Sequence, residues 1–461
     1  MHNPNQHHSL VAQTHTSAPL ALTSSLLDMT SSPTLAINEA VAARRAAGRK
    51  TIHLGFGEAS FPLHPLLNEA LGRAAKHTGY APVAGIPSLR KAIAAYLERT
   101  RHLAFTSNQI IVAPGSKPLL YTLVQALEGD LLLPVPSWVS YAPQARLAGR
   151  RVIPVETDTS DHHRVTPQAL SEALNRARFE GANPRILIVN TPSNPTGSMF
   201  SVEDVQALAD WSREHGITVI SDEIYAELAH GWRAHISPAQ FYPEGCIVTG
   251  GLSKAFSAGG WRLGYAALPG DLAGKQLMTS LRAVASEIWS SPATPMQEAA
   301  AIAYTFNNEL EFYVKASARI HAYATSRLYE ILTKAGTLCP RPAGGFYLYP
   351  DFAPWRDALA ARGVSTSEQL AHYLLDEWDI AALPGTAFGE QPQALRLRLA
   401  TSMLYSPSEA KTESEREAAL WAMLAQAEKW PENETNNEHK LEMPELELAG
   451  AKLREFIGSL G

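Results

Sequence analysis

The chain has 461 residues, with 39 Lys and Arg against 45 Asp and Glu, a net charge of −6. Its 45% apolar content suffices for a large core and excludes wholesale disorder. The acidic balance argues against a nucleic-acid partner, and no apolar run reaches the ~18 residues of a membrane span. Two cysteines, Cys246 and Cys339, stand far apart with no CxxC, so no metal site is expected; they read as packing residues of a protein kept in a reducing cytoplasm.

Residues 1–27 are polar, rich in His, Ser and Thr, and read as a mobile arm rather than a signal peptide. A helix is expected over 35–48, ended by Gly48, then a strand in TIHLGFG and a Pro-punctuated turn. Seven strands follow, at 108–114, 130–136, 150–156, 185–190, 217–222, 246–251 and 262–269. Most are solidly apolar, as strands covered on both faces are. Helical patterns at 115–128, 167–180 and 201–215 alternate with them, which predicts a mainly parallel seven-stranded sheet between helices. A long helical stretch, 297–335, leads to a smaller α+β part. That part holds FYLYPDF, a helix near 367–378, IAALPG, LRLRLATS, a helix over 411–428, a polar break and a last helix over 444–460. The expected organisation is therefore an arm (1–27), a segment joining the small domain (28–62), a large domain (63–320) and a small C-terminal domain (321–461).

In doubly wound sheets, ligands bind beyond the C-terminal ends of the strands. The residues expected there are PGSK with Ser116 and Lys117, SWVSY with Trp138, TPSNPTG with Asn194, DEIY with Asp222 and Tyr225, and GLSKAFSAGGWR with Ser253, Lys254 and Arg262. Singly each has a plain reading: Asp222 as a helix cap, Trp138 as core, Asn194 as a turn residue, Lys254 and Arg262 as solvated charges. Together they equip a site for pyridoxal phosphate. Its aldehyde takes a lysine, its pyridine nitrogen a carboxylate, its phosphate a helix N-terminus with an arginine, and its ring an aromatic face.

These blocks resemble the fold-type-I, class I/II aminotransferases dependent on pyridoxal 5′-phosphate. NTPSNPTG, SDEIY, SKAFSAGGWRLGY and LRLRLATS stand in that family's order, and the resemblance covers about residues 30–410. The GxK loop and the W-V-S-Y segment are similar to the bacterial aspartate/prephenate branch. The resemblance implies an α/β fold with a large domain and a smaller α+β domain. It also implies a homodimer with composite sites, and amino-group exchange between an α-amino acid and a 2-oxo acid in two half-reactions. Lys254 would bind the cofactor's aldehyde and serve as the base that moves the substrate's Cα proton. Asp222 would pair with the pyridine nitrogen; Asn194 and Tyr225 would hydrogen-bond the phenolic oxygen; Trp138 would stack on the ring. Arg262 and the N–H groups of Ser116 and Lys117 would cradle the phosphate, with Tyr80 reaching it from the partner subunit. Gly57 would let backbone approach the substrate, and Arg396 would grip the α-carboxylate, with Arg398 its rival two residues on.

Three departures bear on the chemistry. Gly251 stands where the family carries a hydroxyl, with Ser253 as its possible substitute. The partner-subunit arginine that holds a distal carboxylate in aspartate enzymes falls on Ser286, followed by Glu287. Lys117 either takes over that carboxylate or screens the phosphate, and Glu287 either meets a basic side chain or is a solvated rim residue. A lyase, cyclase or oxidase on the same fold is the second functional reading, and a non-catalytic regulator the third. The presence of Lys254 and the carboxylate-binding apparatus favours transamination.

Overall fold

The computed structural model describes residues 31–461, apart from 232–233, 406–411 and 431–439, and the expected arm at 1–27 lies outside the described residues. Residues 31–461 form one compact unit. The seven expected strands are all present. They are β2 (Ile110–Ala113), β3 (Asp130–Val135), β4 (Val152–Glu156), β5 (Pro184–Asn190), β6 (Thr218–Asp222), β7 (Cys246–Gly251) and β8 (Gly264–Ala267), following a short β1 (Ile52–His53). They form one sheet in the order β2-β8-β7-β6-β5-β3-β4, in which β8 runs against both of its neighbours and every other pairing among β3 to β7 is parallel.

Both faces of the sheet are covered, and this explains the solidly apolar strands. Along β5, Leu187 and Val189 join one apolar cluster, while Ile186 and Ile188 join the other. β2 does the same with Ile110 and Val112 against Ile111 and Ala113. Each such Leu, Ile or Val removed from water stabilises the fold by about 1.5–3 kcal/mol, which is why the alternation of a half-exposed strand is missing.

The smaller α+β part is built on short strands. β9 (Tyr347–Leu348), β11 (Leu383–Pro384) and β12 (Leu397–Ala400) form an antiparallel sheet ordered β11-β12-β9, and β10 (Ile380–Ala381) pairs in parallel with β1. Its own apolar cluster includes Leu54, Leu328, Leu348, Leu397, Leu424 and Phe456. The expected helical stretch 297–335 is two helices, Thr294–Tyr304 and Asn308–Lys334, parted at Asn307, whose side chain caps the second by accepting from the N–H groups of Glu309 and Leu310. The second helix runs through position 320 and packs against both Glu413–Glu428 and Pro444–Gly458.

Candidate active site

A cavity of about 340 Å³ opens at the C-terminal ends of the parallel strands. Its wall is assembled by the turns that leave β2, β3, β5, β6 and β7, closed by Phe56, Gly57 and Glu58 and by Tyr347 and Arg398 of the smaller sheet. Ser116, Lys117, Trp138, Asn194, Asp222, Tyr225, Ser253, Lys254, Arg262 and Gly57 all line it. Residues spread over about 150 positions, from Ser116 to Arg262, thus converge because each ends or follows a strand of one sheet, and Gly57 joins them from the separate strand β1.

One end of the cavity is an anion cradle. The helix Ser116–Ala126 starts there after Gly115, whose φ of 96° lies in the region that glycine tolerates. Free N–H groups and the positive end of the helix dipole face the cavity. A Cβ on Gly115 would lie 2.4 Å from Arg262 Nη2, so the backbone and the guanidinium approach too closely for any side chain. Arg262, itself at φ 52°, donates from Nη1 to the Gly259 carbonyl at 2.9 Å. Lys117 Nζ stands 5.1 Å from the centre of the Trp138 ring. Its pKa is pulled down by burial and by the nearby Arg262.

At the cavity floor, Asp222 is fully enclosed. Its Oδ2 accepts from Tyr141 Oη at 2.7 Å, and its Oδ1 accepts from the Ile224 N–H at 3.3 Å and Thr249 Oγ1 at 3.4 Å. Burial pushes its pKa up to about 6 despite these bonds, with no close ion pair among the described residues to offset it. Lys254 Nζ donates to the Gly57 carbonyl at 2.8 Å, and burial brings its pKa down to about 8. A Cβ on Gly57 would lie 2.2 Å from Tyr347 Oη, so only glycine leaves that carbonyl in reach. Tyr225 Oη and Tyr347 Oη share a hydrogen bond of 2.7 Å. Gly251, the missing hydroxyl, is packed against backbone: a Cβ there would sit 2.7 Å from the Leu263 carbonyl oxygen. Ser253, by contrast, lines the cavity.

The two arginines of LRLRLATS part company, and the expectation for Arg396 needs correction. Arg396 does not line the cavity; its Nε donates to Asp351 Oδ2 at 2.8 Å and its Nη1 to Glu390 Oε1 at 2.5 Å. Its guanidinium is therefore already neutralised. Arg398 lines the cavity instead and is 1% exposed. It donates to the Gly55 carbonyl and, at 3.5 Å, to Asn194 Oδ1, and lies 4.9 Å from the centre of the Tyr347 ring. No carboxylate among the described residues pairs with it, and its Nε is buried without a partner. A planar, forked cation left in that state suits an incoming carboxylate.

Tyr80 does not line this chain's cavity and is 95% exposed. Ser286 and Glu287 lie outside it too, on the exposed end of the helix Leu272–Ile288, where Ser286 Oγ donates to Glu287 Oε1. Two contributors escape sequence reasoning altogether: Tyr141, which holds Asp222, and Tyr347, which touches Tyr225 and Arg398. Tyr141 lies three residues after Trp138 at the start of a short helix, so its direction was the available signal. Tyr347 sits in a two-residue strand and carried none.

The donor set fits pyridoxal phosphate. Arg262, Gly115 and the helix N-terminus would make a phosphate cradle, and among the described residues neither Asp222 nor Lys254 forms a close ion pair, although Glu58 and Asp222 act on Lys254 at longer range. The family model "Aminotransferase class I and II" matches residues 49–404. An aspartate aminotransferase of Geobacillus stearothermophilus is 36% identical over 83% of this chain and 95% of its own. An aspartate/prephenate aminotransferase of Thermus thermophilus is 34% identical over 81% of this chain and 93% of its own. The solved structure of a Thermus thermophilus aspartate aminotransferase with maleate superposes with a TM-score of 0.75 at 32% identity, covering 89% of this chain and all of that one. With its cavity, its sheet and its sequence in agreement over most of its length, the chain belongs to the class I and II aminotransferases, enzymes that depend on pyridoxal 5′-phosphate.

Proposed function

We propose that this aminotransferase takes a dicarboxylic α-amino acid as donor and a 2-oxo acid as acceptor, in two half-reactions, as a cytoplasmic homodimer. The observation that carries the substrate class is a cavity with Arg398 at one place and Lys117, without a carboxylate partner among the described residues, at another. The named relatives agree, and maleate, bound to the Thermus enzyme, is itself a four-carbon dicarboxylate.

Bound pyridoxal phosphate supplies an electron sink for the carbon that loses its proton. Ser116, Lys117 and Arg262 hold the phosphate through backbone N–H groups and the guanidinium. Asp222, fixed by Tyr141 and Thr249, faces the ring nitrogen, where an N–H cation would draw its carboxyl back to the ionised form. Tyr225 and Asn194 would hold the cofactor through its phenolic oxygen, and Trp138 would offer an aromatic face to its ring. Arg398 grips the α-carboxylate and so aims the Cα–H bond. Lys254 Nζ, with its pKa brought down to about 8, holds a useful fraction of free amine near neutral pH and moves that proton. Tyr80 completes the phosphate site of the partner subunit.

The test is a half-reaction screen of the holoenzyme with single amino acids, read by conversion of the cofactor absorbance. Aspartate and glutamate should react fastest. Lys117→Met should lower kcat/KM for aspartate by about 10- to 100-fold while leaving alanine within about threefold, as expected for one lost charge-assisted contact. An equal loss for both would assign Lys117 to the phosphate. Release of ammonia or uptake of oxygen in place of pyridoxamine phosphate would favour a lyase or oxidase. Mixed dimers of Tyr80→Phe and Lys254→Ala chains should recover part of the activity if sites are composite.

A further inference from the structure

A second cavity, of about 230 Å³, lies away from the active site. Two helices supply most of its wall with the same spacing. Asn308–Lys334 presents Glu309, Phe312, Tyr313 and Ala316, and Glu413–Glu428 presents Trp421, Leu424, Ala425 and Glu428. Both series run i, i+3, i+4, i+7, the stripe that one face of a helix shows. His64, the N-cap of the helix Pro65–Ala74, completes the wall.

Three rings form its walls. The centroids of His64 and Tyr313 lie 5.5 Å apart, those of His64 and Trp421 6.0 Å and those of Tyr313 and Trp421 6.0 Å, with each pair at a steep angle. The rings pack edge-to-face or tilted on one another, and all three also line the cavity, so its wall is aromatic. Phe312 stands at the mouth, 50% exposed. His64 Nδ1 accepts from the Leu66 N–H, and burial lowers the pKa of the ring, against an opposing pull from the nearby Glu309. The charged groups lining the cavity are both carboxylates, Glu309 and Glu428, and neither forms a side-chain ion pair among the described residues. Arg319 donates to the carbonyls of Ala427 and Glu428 but does not line the cavity.

We propose that this cavity is a binding site for a small organic cation, an ammonium group seated against Trp421 and Tyr313 between Glu309 and Glu428. Aromatic faces attract a weakly hydrated cation, and two unpaired carboxylates supply the countercharge that a merely apolar cavity would lack. The inference is independent of the substrate proposed above, since the two cavities share no residue.

The probe is choline, a quaternary ammonium whose nitrogen cannot condense with the cofactor aldehyde. The control is its neutral isostere, 3,3-dimethyl-1-butanol. Ligand-observed NMR titration of the holoenzyme should show saturable choline binding with Kd on the order of 1–10 mM, the range for a few aromatic and ionic contacts in an open site. The alcohol should bind at least about tenfold more weakly, and so should choline to the double variant E309Q/E428Q. Both carboxylates are exposed, so that variant should fold, and its circular dichroism and cofactor absorbance would verify it. Trp421→Leu should weaken choline similarly while Trp289→Leu, outside the cavity, should not. Equal binding of alcohol and choline, unchanged binding in E309Q/E428Q, or no saturation by about 100 mM would each overturn the proposal.

Discussion

Asp222 and Glu223 are neighbours at the end of β6, both buried, yet their carboxyls are driven in opposite directions. Burial alone would raise both. For Glu223 that effect is outweighed by His235, whose Nε2 is 3.2 Å from Oε2, and by Arg101, whose Nε is 2.9 Å from the same oxygen. Ser237 and Ser221 donate to its Oε1, and Arg101 reaches on to Glu227 at 2.6 Å. The charges of that cluster stand in ion pairs with one another, although Glu223 Oε2, Arg101 Nε and His235 Nε2 meet at ion-pair distance without forming well-aligned hydrogen bonds. On the other side, Asp222 is held by hydroxyls and forms no close ion pair, Arg398 has no carboxylate pairing with it among the described residues, and Lys254 feels Glu58 and Asp222 only at longer range. The contrast separates scaffold from site. A cluster that balances its own charges holds the strand end in place, whereas one that leaves charges unanswered is shaped for a ligand that answers them.

The sharpest break of this comparison falls on the open side. Lys254→Ala should cost transamination about 10³- to 10⁴-fold or more, the worth of a positioned proton carrier and of the covalent hold on the cofactor. Steady-state rates and the loss of the bound-cofactor absorbance check it. Near-normal turnover would return Lys254 to the scaffold. On the closed side, Arg101→Met leaves Glu227 without its cation and Glu223 with His235 alone. It should destabilise the fold by about 3–5 kcal/mol, seen in chemical denaturation, while the fraction that remains folded keeps kcat/KM within a few-fold. A collapse of activity at unchanged stability would erase the distinction.

A finer test uses pH. In the folded chain without cofactor, Asp222 titrates near 6, above its ordinary 3.8. Between those values the folded state binds more protons than the unfolded state, so stability falls as pH rises through the window. The loss is up to about 3 kcal/mol. Unfolding free energy of the apoenzyme minus that of its Asp222→Asn variant, measured from pH 4 to 7, should therefore decline. Pyridoxal phosphate should flatten the decline, because a cation on the ring nitrogen stabilises the carboxylate. A flat difference without cofactor would mean that Asp222 is as well answered as Glu223.

How much of this was legible without coordinates follows the same physics. The seven strands of the main sheet were readable because burial on both faces writes a solid apolar run, and Lys254, Asp222, Asn194, Tyr225 and Arg262 were readable because each follows such a run. The strand expected in TIHLGFG is present as β1, whereas β9, β10 and β11 have two residues each and carry no period. Tyr347 and Tyr141 act through contacts with residues 122 and 81 positions away, which no local pattern records. The helical stretch expected over 297–335 is helical but interrupted at Asn307, a cap residue inside an otherwise helical pattern.

The arginine pair shows what spacing alone leaves undecided, and it supplies the smallest predicted effect. Two residues apart on a strand, Arg396 and Arg398 should share a face. But the regular strand β12 starts at Leu397, and Arg396 sits before it, in an isolated bridge to Asp351. Asp351, 45 residues away, and Glu390, six residues earlier, close over its guanidinium, while Arg398 is carried inward to Asn194 and Tyr347. The same residue type is thus an answered charge at one position and an unanswered one at the other. Arg398→Lys should lower kcat/KM by about 10- to 100-fold, since an ammonium cannot reproduce the two-pronged contact with a carboxylate. Arg396→Lys should change kcat/KM by less than about threefold and lower the thermal midpoint instead, because it weakens a partly buried network. The reversed pattern would place the carboxylate grip on Arg396 and make Arg398 the structural partner.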